Sequence, residues 1–148
     1  MYYRTKYILG ENTLDEVAHS LLFQAALIGD EFLWETAVAM GATDYNAALI
    51  VAAYKGHENI CRKNIDRLDM GDVFINCAAS GGHKSIVELA VQHGHHKTFL
   101  YDLVQNAVYS GDQETLKYVL SLSKANMDRY VEKAAFLKPQ GNLRDVTQ

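Results

Sequence analysis

Apolar residues along the chain fall three and four positions apart, the spacing that gathers them on one side of an α-helix. Four stretches carry it: Phe32, Leu33 and Trp34 with Ala37 and Val38; Ile60, Cys61 and Ile65; Ile86, Val87, Leu89 and Ala90; and Leu116, Tyr118, Val119 and Leu120. Each predicts a helix with that face buried. Alternating β-branched runs, the mark of strands, are scarce. The one proline, Pro139, leaves helix allowed from the start to about residue 138. Thr13-Leu14-Asp15-Glu16 reads as a capping box that opens the first helix. The pattern predicts an all-α fold.

Folding the sequence on itself at a fixed period brings four further segments into register. They are Ala25-Ala26-Leu27-Ile28-Gly29-Asp30, Ala52-Ala53-Tyr54-Lys55-Gly56-His57, Ala78-Ala79-Ser80-Gly81-Gly82-His83 and Ala107-Val108-Tyr109-Ser110-Gly111-Asp112, at offsets of 27, 26 and 29 residues. The shared pattern is Ala-small-x-x-Gly-His/Asp. Paired small residues let one helix lie close on the equivalent helix of the next unit. The glycine suits a left-handed helix end, and the His or Asp after it is placed to cap the helix that follows. Each unit therefore reads as helix, tight turn, helix. Gly41-Ala42 and Gly94 mark the ends of second helices. The expected organisation is a lead-in over 1–13, units near 14–42, 43–69, 70–96 and 97–124, a degenerate fifth over 125–137 that keeps Ala134-Ala135, and a polar, flexible tail over 138–148.

Composition supports one self-sufficient domain: 148 residues, 49% of them hydrophobic. Fourteen Lys and Arg against eighteen Asp and Glu give a net charge of -4, with no cluster of cations to follow a phosphate backbone, so no nucleic-acid partner is expected. No run of 18 residues is free of charge, and no membrane partner is expected either. Cys61 and Cys77 sit inside apolar segments, which predicts buried thiols in a reducing, cytoplasmic setting.

The units resemble ankyrin repeats, whose core reads Ala-Ala-x-x-Gly-His followed by Ile-Val. The third unit, Ala78-Ala79-Ser80-Gly81-Gly82-His83-Lys84-Ser85-Ile86-Val87-Glu88-Leu89, is the closest match, and the second, Ala52 to Ile60, nearly equals it. The resemblance covers about residues 14–137. Family repeats run 33 residues and open with Thr-Pro-Leu-His. Here they are 26 to 29 long, and Ala47-Ala48-Leu49-Ile50 stands in place of that tetrapeptide. The resemblance thus implies a solenoid of stacked helix pairs with shortened or absent β-hairpin fingers. Gly41 to Asn46, passing straight into the next helix, is similar to the short-period arrays of large DNA viruses. Lys63 and Asn64 fall where the core carries leucines, so the second helix of the second unit is expected to be short or irregular.

What the resemblance implies for function is a non-enzymatic protein-protein interaction module, without a cofactor, that presents a concave helical face to a protein partner, a host factor if the chain is viral. In that family the two positions between the alanines and the glycine commonly meet the partner. Here they supply Leu27, Ile28, Tyr54, Lys55, Ser80 and Tyr109. Tyr54 and Tyr109 are two units apart, about 16–20 Å at ordinary helix spacing, and aromatic side chains with a polar tip suit interface anchors. Three other readings compete. His93-Gly94-His95-His96 is a dense imidazole cluster for a metal ion, although its spacing is poor. His57 and Cys61, at i and i+4, set a base beside a thiol but lack an orienting third group. An apolar last unit with Phe136 exposed would offer a homodimer contact through the C-terminal end face.

Overall fold

A computed structural model describes residues 13–95 and 100–137, so the expected lead-in, apart from Thr13, and the expected tail lie outside the described residues. Within them all regular structure is helical and no strand occurs. The order is α1 (Thr13–Ile28), α2 (Glu31–Ala39), α3 (Tyr45–Lys55), α4 (Glu58–Asn64) with a 3-10 turn (Ile65–Arg67), α5 (Gly71–Ser80), α6 (Lys84–Gln92), α7 (Leu100–Ser110) and α8 (Gln113–Leu137). The short α4 and its 3-10 extension fall where Lys63 and Asn64 interrupt the apolar spacing.

A left-handed glycine stands between the two helices of every pair, and the first three pairs share one backbone turn, while at the fourth Asp112 N donates to Ser110 Oγ instead. At the first, Gly29 takes φ +77°, and the Gly29 and Asp30 amides both donate to Ala25 O, at 2.8 and 3.1 Å. The second repeats it: Gly56 takes φ +84° and His57 N donates to Ala52 O at 2.9 Å. A residue with a Cβ is strained in this left-handed region, which accounts for the recurring glycine.

The paired alanines lie where neighbouring helices approach. Ala25, Ala26, Ala52, Ala53, Ala78 and Ala79 are fully buried. First helices pack in sequence, α1 on α3, α3 on α5 and α5 on α7, while second helices follow in parallel, α2 on α4, α4 on α6 and α6 on α8. Large residues fill the space inside: Leu22, Leu49, Ile60, Phe74, Ile86 and Leu103. Burying each removes enough apolar surface from water to stabilise the fold by about 1.5–3 kcal/mol.

Four expectations need correction. The fifth unit over 125–137 does not form a separate helix pair. With no glycine between Gly111 and Gly141, α8 runs unbroken for 25 residues. Phe32 is 78% exposed and Leu120 is largely exposed, because each lies outside the arc of its helix that meets the core. Val108, the second small residue of the fourth pair, is 55% exposed, since no further hairpin covers it among the described residues. Cys77 is half-buried, unlike Cys61. His95, of the imidazole cluster, is half-buried against Gly71, at a spot that a side chain there would fill.

Candidate protein-binding surface

The residues between each alanine pair and its glycine finish the first helix of a unit, and the sequential packing of those helices lines them up as a row. Tyr109 is the most open member at 83% exposed, Ile28 is 62% and Tyr54 48% exposed, and Lys55 is exposed as well. Leu27 and Ser80 are half-buried. Phe23, one turn before Leu27, adds an exposed ring that the repeat pattern did not mark, because it lies before the alanine pair.

What holds the row in place is a bridge between units. His57 and His83 occupy the N-cap positions of α4 and α6, yet neither side chain caps its helix. Each ring turns back instead. His57 Nε2–H donates to Leu27 O at 3.0 Å, and His83 Nε2–H donates to Tyr54 O at 2.9 Å. A carbonyl only accepts, which fixes the hydrogen on Nε2 in both rings. The His57 ring rests on Gly29 and the His83 ring on Gly56, so the glycine leaves room for the histidine of the next unit as well as making its own turn.

Aspartate at the same position behaves as first expected. Asp30 Oδ1 accepts from Leu33 N at 3.0 Å, and Asp112 Oδ2 accepts from the Thr115 amide and hydroxyl at 2.9 and 2.7 Å. The Thr115 hydroxyl, then its amide, hold the Asp112 carboxyl below its ordinary pKa. Carboxylates reach a helix N-terminus from this position; an imidazole reaches past it to the preceding carbonyl.

The other faces offer less. Between α2 and α4 runs a groove of about 370 Å³ floored by Trp34, Val38 and Ile60, and an ion pair of Lys63 Nζ with Glu31 Oε1 at 3.0 Å links the same two helices. Beside it the Arg67 guanidinium lies 4.6 Å over the Tyr45 ring. His19 also joins units: its Nδ1–H donates to Asp15 O at 2.7 Å, and its Nε2 accepts from Thr43 N at 3.4 Å. Neither contact was visible in the repeat pattern, which aligned only the helix ends.

The competing chemistries find these surroundings. His93 Nδ1–H donates to Leu89 O at 2.9 Å, and His96 lies outside the described residues. No group of three or more His, Cys, Asp or Glu among the described residues is arranged to hold a metal ion. Burial pushes the Cys61 thiol up to about 12, so it stays protonated at neutral pH, while the His57 Nε2 hydrogen is engaged by Leu27. Phe136 falls outside the described side chains. No helix among the described residues is long and apolar enough to cross a membrane. No protein-family model, curated protein or solved structure matches the chain.

Proposed function

We propose that the chain is an ankyrin-like solenoid of short repeats that binds another protein along the row of first-helix ends, using Tyr54 and Tyr109 as anchors with Leu27, Ile28, Lys55 and Ser80 around them. The observation that carries this reading is the exposure of two tyrosines at equivalent positions of units that pack in order. Core packing gives no reason for a ring that is 83% exposed, whereas interface anchors are drawn from such rings. A stack of helix pairs presents a long open surface, which suits a protein or peptide better than a small molecule. The array is read as a non-enzymatic scaffold in the cytoplasm.

Tyr54→Ala combined with Tyr109→Ala tests it. Partners that immobilised wild-type protein captures reproducibly should be lost with the double variant, whose helicity and melting midpoint stay within a degree or two of wild type, as surface changes do. Recovery of the same partners by both proteins would refute the row as the binding face.

A further inference from the structure

We propose that this protein associates head to tail, with the outer face of α1 in one copy stacking on the outer face of α7 and α8 in another as one hairpin stacks on the next inside the chain. The inference uses the two end faces and not the tyrosine row, so either reading can fail alone.

Equivalent positions carry the first part of the argument. Counting from each alanine pair, Leu21 corresponds to Ala48, Phe74 and Leu103, all buried in units that have another before them, whereas Leu21 itself is only half-buried. Leu33 likewise corresponds to Ile60, Ile86 and Thr115, which are buried, and is half-buried too. On the same side of α1, Leu14 and Val17 are exposed. Among the described residues the leading face is thus apolar and open.

The trailing face mirrors it. Val108 corresponds to Ala26, Ala53 and Ala79, each covered by the unit that follows it, and Val104 to Leu22, Leu49 and Ile75. Val108 is exposed and Val104 half-buried. Leu100, Tyr101, Val104 and Met127 line an open apolar hollow of about 510 Å³ between α7 and α8. In the register of the inner joints, Val17 and Leu14 of a second copy arrive beside this hollow.

Charge selects the pairing. The first helix pair, residues 13–42, contains Asp15, Glu16, Asp30, Glu31 and Glu35 and no lysine or arginine, with Glu31 already paired to Lys63 of the second unit. Helix α8 carries Lys117, Lys124, Arg129 and Lys133 against Glu114, Asp128 and Glu132. Two leading ends would set acid against acid, whereas a leading end on a trailing end does not. A face one 16-residue helix long, about 24 Å, and two helices wide buries roughly 1,000 Å² in all, the range of weak and transient contacts. A contact of this kind is heterologous and does not close on itself.

The test needs no partner: light scattering on the full chain from micromolar to near-millimolar concentration. The average mass should start at the 16.6 kDa of one copy and climb past two copies without a plateau. Leu14→Arg with Val17→Arg blocks the leading face, and Tyr101→Glu with Val108→Glu blocks the trailing one; all four side chains are exposed, so folding is preserved, and circular dichroism checks it. Each blocked protein alone should stay a single copy, and an equal mixture of the two should form a complex of two copies. A plateau at the dimer, self-association surviving in either blocked protein, or a single copy of wild type at every concentration would overturn the proposal, the last meaning that the ends are covered by the chain itself or await a different protein.

Discussion

His57 couples two units through one ring: its N–H satisfies the Leu27 carbonyl at the end of α1 while its face covers Gly29. His57→Ala should therefore cost about 1–2 kcal/mol, the value of a half-buried hydrogen bond whose acceptor is left unpaired, read as a lower urea midpoint with an unchanged slope. Gly29→Ala should cost more, because the added methyl meets the ring and φ is +77°. Asp112 gives a pH signature. Its folded pKa lies below the ordinary 3.8, so its contribution is complete above that value and is lost as pH falls through the lower one. The gap in melting temperature between wild type and Asp112→Ala should be widest above pH 3.8 and close in stronger acid. Cys61, with its thiol raised to about 12, should resist iodoacetamide at neutral pH until the protein is unfolded, while half-buried Cys77 reacts first; mass spectrometry of labelled peptides reads the order.

At the scale of the helix, the alanine columns decide how close neighbours lie. Ala79→Arg puts a long cation where no exposed surface remains, and overpacking together with an unpaired buried charge should cost at least about 3 kcal/mol and lower the melting midpoint steeply. An unaffected melt would mean that the column does not form the joint. This register could be read in the sequence because alanine pairs and glycines recur at a nearly constant interval, and that recurrence located the turn inside each of the four helix pairs. For the candidate row the same interval marks residues at the ends of first helices, and of these Ile28, Tyr54 and Tyr109 are exposed while Leu27 and Ser80 are half-buried, a difference that the repeat pattern does not carry. Direction was not legible. Nothing in Gly-His says whether the ring turns forward to cap or backward to the preceding unit, since that depends on a carbonyl about 30 residues away. The long α8 was missed for a related reason, because Ala134-Ala135 repeats the alanine signal without the glycine that makes it a turn.

Across the whole molecule, stability should fall from the middle to the ends. Helices α3 and α5 are packed by neighbours on both sides, α1 and α7 on one. In a chain whose units touch only their neighbours, the middle opens last. Amide hydrogen exchange should be slowest in α3 and α5 and faster in α1, α7 and the far end of α8; uniform protection would indicate one all-or-none unit instead. The two histidine bridges also give the molecule an arrow. Both rings reach toward the hairpin that precedes them, never the one that follows. As the polypeptide leaves the ribosome, each histidine emerges after its acceptor has already been synthesised. At these two joints, assembly during translation can then add a new pair to a carbonyl that is already in place.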